Sequence, residues 1–484
     1  MISLRSPSRR WILVVSPILS VLVLYYLLIN DPSSYISHYR GFIFSSDSHK
    51  ASHGNHSTNA TRLETTTTTT VRPAPAASEP PVVVAAETQT QASGCPSLPG
   101  LEDVLVIMKT GVTEALEKVP VHIRTTLRCV PHYTIFSDFE EDIEGVRTVD
   151  VLRSVSKATK ETDADFAIYN RVLQHGRPGL IEDDLHDEAN SAFGKPGNPG
   201  WKLDKWKFLP MIDEALQARP EAKWYVFVEA DTYMVWPNLV GWLNELDPSK
   251  PFFLGNQMQI ADITFAYGGS GIIISNPAMR KLSQYRTDRL EELERYTAAS
   301  WAGDCVLGKT MRDAGVPLNW AWPMLQSGHM WELDALGEAY GRKPWCYPVV
   351  SFHHMKPEDI ETMWLFDQKW FQNGHSLLLH SDVYHHIIRN ETLADRDDWN
   401  NLSADKVSTD DGEVSMNSAA ECAARCADDR NCLQYSYENG NCLTSRSALR
   451  GSPHAGTRSG WMQERIDAAV QTAGVCPKAA YVTF

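Results

Sequence analysis

The stretch KWYVFVEADTYMVWPNL, residues 223–239, constrains the fold more than any other part of the chain. An apolar run, Trp224 to Val228, drives straight into Glu229 and Asp231. Such a run reads as a buried strand, and two carboxylates at its end are costly unless something positive stands between them. The plan recurs in LEDVLVIMKTG (residues 101–111), which ends in a polar turn, and in PHYTIFSD (131–138), which ends in an acid. WKLDKWKFLPMIDEALQ (201–217) spaces Leu203, Trp206, Leu209 and Ile212 at helical intervals, which predicts a helix leading into the strand. Strands that alternate with helices predict an α/β fold with a mostly parallel central sheet. Ligands of such sheets bind beyond the carboxyl ends of the strands, so Thr110, Asp138, Glu229 and Asp231 are expected on one rim.

Further segments point to the same rim. AYGGSGIIISNPAMRKL (266–282) reads as a glycine-rich loop, a short strand, and a helix with Asn276 as N-cap and Pro277 in its first turn. Gly268, Gly269 and Gly271 suggest backbone close to a ligand, although a bare turn would use glycines too. The GKS/T ending of a phosphate-binding P-loop is absent. WAGDCVLGKTMRDAGV (301–316) predicts a helix with Val306, Leu307 and Met311 inward, Gly315 as its stop and Asp304 at the N-cap position. PWCYPVVSFHHM (344–355) reads as an apolar strand ending in paired histidines. Hard divalent cations take carboxylate oxygens, and Mn²⁺ accepts imidazole as well. Metal binding and turn capping both remain open for Asp231, as does a salt bridge with a rim lysine for Glu229.

The chain's remaining segments bear on compartment. Arg5, Arg9 and Arg10 precede an uncharged apolar run, residues 11–29. At about 1.5 Å per residue it is about 28 Å long, enough to cross a bilayer. A cleaved signal peptide is the rival, but its apolar core would be shorter and no small-residue cleavage site follows. The basic flank predicts a cytoplasmic tail (1–10), an anchor (11–29) and a lumenal bulk, in a single-pass type II arrangement. Residues 30–94, with six consecutive threonines at 65–70, read as a disordered Ser/Thr/Pro-rich stalk. Sequons at Asn55, Asn59, Asn390 and Asn401 and nine cysteines fit the secretory lumen. A formal net charge of −15 argues against nucleic acid as a partner. Past residue 400, Cys422, Cys426, Cys432 and Cys442 crowd into a helix, a strand and a hairpin, a small disulfide-stapled module. Zinc is the other use of four cysteines, but no CxxC knuckle is present.

The order VIMKTG, TIFSD, WYVFVEADTYM, YGGSGIIIS, GDCVLG, VVSFHH resembles glycosyltransferase family 31, whose members include Fringe and the core 1 β1,3-galactosyltransferases. The resemblance covers residues 101–386. It implies a GT-A-type nucleotide-sugar transferase fold, a Golgi (or ER) membrane enzyme, Mn²⁺, a UDP-sugar donor, a glycan or glycoprotein acceptor, and inversion at the anomeric centre. Glu229 and Asp231 fall on the first and third positions of the family's acidic motif, usually three aspartates; here Glu replaces the first and Ala230 the second. The resemblance makes Asp231 and His353 the metal ligands, with Glu229 acting through water or the sugar. His354 is expected to be only a neighbour. Asp304 matches the family's proposed catalytic base, which takes the acceptor proton, against an ordinary helix cap. The family's usual first acid there is Gly303 in this chain, so no neighbouring carboxylate is expected to raise the pKa of Asp304.

Thr110, Arg124 and Asp138 resemble UDP-binding positions, and Gly268, Gly269 and Gly271 match an element beside donor and acceptor. Lys205 or Lys207 pairs with phosphate or lies on a solvated helix face; Trp320, Trp322 and Trp331 form a sugar-stacking platform or aromatic core. ECAARC with the later cysteines resembles a PAN/Apple domain, which implies Cys422–Cys442 and Cys426–Cys432 pairs. That module is either a protein- or carbohydrate-binding unit or a structural cap. Cys95, Cys129, Cys305, Cys346 and Cys476 are five, so at least one lacks a partner within the chain. The expected organisation is a catalytic domain at 95–400, a PAN/Apple-like domain at 408–467 and a tail at 468–484. Hexose transfer, galactose in β1,3 linkage, is the expected activity. UDP-GlcNAc or UDP-glucose is the alternative donor, and a catalytically impaired glycan-binding or scaffolding protein the alternative class.

Overall fold

Alternation along two strands builds the centre of the molecule. In β1 (Val104–Lys109), Leu105 and Ile107 face one buried cluster while Val104, Val106 and Met108 face another. In β4 (Trp224–Glu229), Tyr225 and Phe227 share the first cluster and Trp224, Val226 and Val228 the second. A strand apolar on both faces needs cover on both, which explains the unbroken apolar run in the sequence.

The structure is a computed structural model that describes residue 95 and residues 97–186, 194–392, 394–409, 412–413 and 415–484. The expected anchor, stalk and sequons at Asn55 and Asn59 lie outside these residues. Among the described residues no helix is long and apolar enough to cross a membrane.

The other strands of the central sheet are β2 (Tyr133–Ser137), β3 (Val149–Asp150), β5 (Phe253–Gly255), β6 (Ile272–Ser275) and β7 (Asn319–Trp320). Their order is β7-β5-β6-β4-β1-β2-β3. Only β6 runs antiparallel to its neighbours, so the sheet is mostly parallel, as the sequence predicts. The carboxyl ends of β1, β2, β4, β5 and β7 therefore open on one rim.

Four helices position that rim: α1 (Ala115–Arg124), α2 (Pro199–Asp204), α3 (Phe208–Ala218) and, further along, α4 (Gly303–Asp313). The single helix expected over residues 201–217 is in fact α2 and α3 with a turn between them. Pro210 is the physical reason: in a continuous helix its ring would meet the carbonyl of residue 206, and it has no N–H to donate. Two shorter expectations also change. Ser275, not Asn276, is the N-cap of the helix Asn276–Thr287, because the Asn276 amide donates to the carbonyls of Pro220 and Ala222. Residues 344–355 do not form one strand. A 3-10 turn, Pro344–Cys346, precedes the two-residue strand Ser351–Phe352, which pairs with Tyr233–Met234 just beyond the acidic motif.

The C-terminal region is a five-stranded antiparallel sheet, from Arg396–Asn400 to Ser452–Trp461, packed against the helix Ala419–Asp428. Cys422–Cys442 and Cys426–Cys432 form the disulfides that the resemblance implied, so these four cysteines hold no zinc. Cys95–Cys129 and Cys346–Cys476 pair as well, leaving Cys305 buried and free. The chain then returns to the first domain: Val482 lies in the second core cluster, and the Trp242 indole N–H donates to its carbonyl at 3.0 Å.

Candidate functional site

Glu229 and Asp231 each have a cation beside them. Lys109, at the end of β1 and directly opposite Glu229 in the register, lies 3.3 Å from the Glu229 carboxylate and also pairs with Asp204 at the end of α2. Lys118 on α1 bridges Asp231 at 3.3 Å and Glu114 at 2.8 Å. Burial would raise both carboxyls, but Lys109 holds Glu229 below the usual range and Lys118 holds Asp231 well below it. Both acids are thus ionised at neutral pH.

Ala230 explains the shape of the motif. Side chains alternate at a strand end, and that of Ala230 points away from the acids into the second core cluster, where it is 1% exposed. Its carbonyl accepts a hydrogen bond from the His122 Nε2–H at 2.9 Å, while the Thr126 hydroxyl donates to Nδ1 at 2.7 Å. Burial pushes His122 down to about 4, so it is neutral and the bond holds the turn. An acid at position 230 would be an unpaired charge in apolar surroundings, so its loss takes nothing from the rim.

His353 completes the cluster. Its Nε2 lies 3.2 Å from Asp231 and 3.7 Å from Glu229, and its Nδ1 faces the Ser327 carbonyl at 3.4 Å. Burial alone would lower its pKa, but Asp231 and then Glu229 raise it to about 9. His354, expected to be only a neighbour, follows with φ of 57°, a left-handed conformation, and its ring lies tilted with its centroid 3.9 Å from that of His353. Asp231, His353 and His354 each offer one ligand atom, all within 4.8 Å of one another. A carboxylate with two imidazoles suits a first-row divalent cation such as Mn²⁺, and the close set of three is a fit for one.

The glycine turn joins this cluster to a second acid. A Cβ on Gly269 would collide with the His353 ring, and one on Gly268 would come 2.9 Å from a Glu229 oxygen. The Gly268 N–H donates to the Asp304 carboxylate at 3.0 Å, and the Cys305 N–H donates to its other oxygen at 2.8 Å. Gly271, at φ 89°, lets the chain turn back into β6. Asp304 is not the helix cap: Ala302 is, and Asp304 stands in the first turn of α4. Nor does the carboxyl stay at its ordinary pKa for want of an adjacent acid. Burial, followed by the charge of Glu229, pushes it up to about 6 against the two N–H donors. The missing acid at 303 also has a steric reason, since a Cβ there would meet the Phe208 ring and the Lys205 Cα.

The remaining expected residues fall into different places. Asp138 and Thr110 are buried; Asp138 pairs with Lys207 at 2.9 Å and accepts the Val112 N–H, and the Thr110 carbonyl accepts from Lys207. Lys207 is itself 1% exposed, which removes it as a ready phosphate partner. Lys205 pairs with Asp165. Arg124 is exposed at the end of α1 and pairs with Glu144, with no contact to the acids of the motif. Trp322 is buried and Trp331 half-buried, while Trp320 is exposed and meets Tyr340 edge-on. Asn390 is exposed, but Asn401 is fully buried with its amide donating to the Tyr435 and Gly460 carbonyls. The expected glycan at Asn401 is therefore excluded in the folded protein. Lys109, Lys118 and Asp204 were not among the expected site residues, although Lys109 lies in the predicted strand and Asp204 in the predicted helix.

A mostly parallel sheet with acids, imidazoles and a glycine turn on its carboxyl rim is a ligand-binding edge, and the family that the sequence matches makes it that of a glycosyltransferase, an enzyme class that takes a nucleotide-sugar donor and a glycan acceptor. The Fringe-like family model matches residues 100–356, more than half of the 484-residue chain, and a PAN domain model matches residues 399–459. The chain belongs to the Fringe-like family and carries a PAN domain behind its transferase domain.

Proposed function

We propose that this protein transfers galactose from UDP-galactose to a glycan or glycoprotein acceptor in β1,3 linkage, with inversion and with Mn²⁺. We place it in the Golgi or ER membrane, held by residues 11–29 with its transferase domain in the lumen. The observation that carries the reading is the turn at Gly268 and Gly269. It touches Asp304 on one side and lies against Glu229 and His353 on the other, so the proposed base and cation ligands flank one turn.

The chemistry follows from these positions. Asp231, His353 and His354 would hold the cation, which, when bound, neutralises charge on the departing diphosphate. Lys109 and Lys118 keep Glu229 and Asp231 ionised and add positive charge to the rim. Asp304, half-buried with a pKa of about 6, is ionised at neutral pH yet basic enough to accept a proton. Its two N–H donors fix the carboxylate in place. The acceptor hydroxyl oxygen attacks the anomeric carbon opposite UDP and its proton passes to Asp304. The bond to UDP breaks with the electron pair staying on the phosphate oxygen, which inverts the anomeric centre.

The test is product analysis with full-length protein, UDP-galactose, Mn²⁺ and a panel of aryl glycoside acceptors. A product whose new anomeric proton has the coupling of a β-galactoside linked to O3, formed with Mn²⁺ and absent in EDTA, supports the reading. An α product, or transfer undiminished by EDTA, overturns it.

A further inference from the structure

The loop behind His353 is gripped by the PAN domain. The His353 N–H donates to the Gly328 carbonyl at 3.1 Å, and its Nδ1 faces the Ser327 carbonyl, which leaves Nε2 aimed at Asp231. Residues 327 and 328 lead into a one-turn 3-10 helix, Met330–Glu332. The His329 side chain fixes that turn by accepting the Trp331 N–H at 3.1 Å, while its Nε2 meets Asp359 at 2.9 Å.

Trp331 is where the second domain takes hold. The Arg450 guanidinium lies 4.0 Å from the Trp331 ring centroid and 5.0 Å from that of Trp399, a cation between two indoles. The Gly451 N–H donates to the Trp331 carbonyl at 3.2 Å, and the Ser447 hydroxyl donates to Asp334 at 2.5 Å. Residues 447–451 are themselves fixed within the PAN sheet. The Leu449 N–H donates to Gln434, the Leu449 carbonyl accepts from the Trp461 indole, and the Arg450 carbonyl accepts from the Trp399 indole. Glu391 stands 3.6 Å from the Arg450 Nε and neutralises part of its charge.

We propose that the PAN domain of this chain is a positioning element for the transferase site: Arg450, through Trp331 and the loop at 327–332, sets the orientation of His353 toward a divalent cation. The inference deepens the proposed function and rests on its assignment of His353 as a ligand. Partners one layer out from a metal ligand orient it, and their loss typically costs ten- to a hundredfold in metal affinity. Arg450 lies outside the proposed donor and acceptor positions, and its effect passes through the loop.

The experiment measures Mn²⁺ binding to the full-length protein, with UDP present, by the loss of the free-ion electron paramagnetic resonance signal. Hydrogen exchange of residues 327–332 in metal-free protein is followed in parallel. Arg450→Ala is expected to weaken Mn²⁺ about tenfold and to speed exchange in that loop, while Arg450→Lys, which keeps a cation between the indoles, recovers most of the affinity. Arg430→Ala, on the exposed side of the same domain, leaves both readouts at wild-type values. Ser447→Ala removes only the hydroxyl bond to Asp334, and a severalfold loss is expected there. It serves as the deciding variant if Arg450→Ala does not fold. Unchanged Mn²⁺ affinity and loop exchange in folded Arg450→Ala, or in Ser447→Ala where it decides, would overturn the coupling and leave the metal reading intact. A wild-type protein that takes up no Mn²⁺ at all would overturn the metal reading itself, and the coupling with it.

Discussion

At Gly269 the absence of a side chain is a requirement of the site. A methyl group there collides with the His353 ring, and the backbone at this turn is fixed by the Thr232 hydroxyl, which donates to the Gly269 carbonyl at 2.7 Å. Gly269→Ala is therefore expected to displace His353 and to weaken Mn²⁺ more than tenfold, read by isothermal titration with UDP present. Asp304 gives a pH prediction with a definite sign. A base must be ionised, and burial has pushed this carboxyl up to about 6. The transfer rate should be level above pH 7 and fall about tenfold per unit below pH 6, and Asp304→Asn should lose at least a hundredfold at pH 7 with a melting temperature within a few degrees of wild type. Activity near wild type with a lower melting temperature would make Asp304 structural instead. Asp231, His353 and Asp304 were legible in the sequence because acids and imidazoles on a resembling motif carry their chemistry in their type. Lys109 and Lys118 were not, since a lysine in an apolar run or on a helix looks the same whether it faces solvent or a carboxylate. The left-handed backbone at His354, which turns its ring onto the cluster, leaves no mark in the residue types.

The elements of the rim set where an acceptor can lie. Trp320 ends β7, three strand spacings from Glu229 in the sheet order, which is about 14 Å at about 4.8 Å per spacing. Tyr340 tips a tight turn at φ 52°, and Arg342 pins that turn by donating to the Trp320 and Trp322 carbonyls. A bulky residue in that conformation is strained, and strain persists where the surroundings over-determine it. Both rings are exposed, and in the proposed reaction they are where an outer sugar of the acceptor would stack. Trp320→Ala is expected to raise the acceptor KM severalfold and leave the UDP-sugar KM unchanged, in initial-rate assays varying each substrate. The sheet itself was readable from apolar runs and their polar ends. The break between α2 and α3 was missed because helical spacing of Leu203, Trp206, Leu209 and Ile212 outweighed Pro210, and the two-residue strand Ser351–Phe352 because apolar content alone does not say how much of a run is paired.

Across the whole molecule, transferase and PAN domains share a core. Trp461 and Ile466 cluster with Trp345, Val349 and Phe352, and Cys346–Cys476 closes a sequence separation of 130 residues. Loop closure of that length stabilises by about 4–5 kcal/mol in the chain-entropy view, so Cys346→Ser with Cys476→Ser should lower the melting temperature by several degrees or more. A second stability effect comes from Asp367, where burial, against the hydrogen bond donated by the Tyr233 hydroxyl, pushes the carboxyl up to about 7. Its folded pKa exceeds the unfolded value of about 4, so the native state binds the extra proton between these values. That contribution, about 4 kcal/mol at most, is fully present below pH 4 and is lost as pH rises through 7. Thermal unfolding should show stability falling between about pH 4 and 7 in wild type and a flatter profile in Asp367→Asn. This long-range packing was not legible in the residue types, because contacts such as Arg450 to Trp331 depend on how two domains meet.

In the proposed mechanism Asp231, His353 and Asp304 form one working site. Its most direct test is UDP release by the full-length protein from UDP-galactose, UDP-GlcNAc and UDP-glucose with an acceptor mixture, in Mn²⁺ and in EDTA, comparing wild type with Asp304→Asn. Release from UDP-galactose should require Mn²⁺ and fall at least a hundredfold in the variant. No release from any of the three donors, or release that ignores both EDTA and Asp304→Asn, would contradict it.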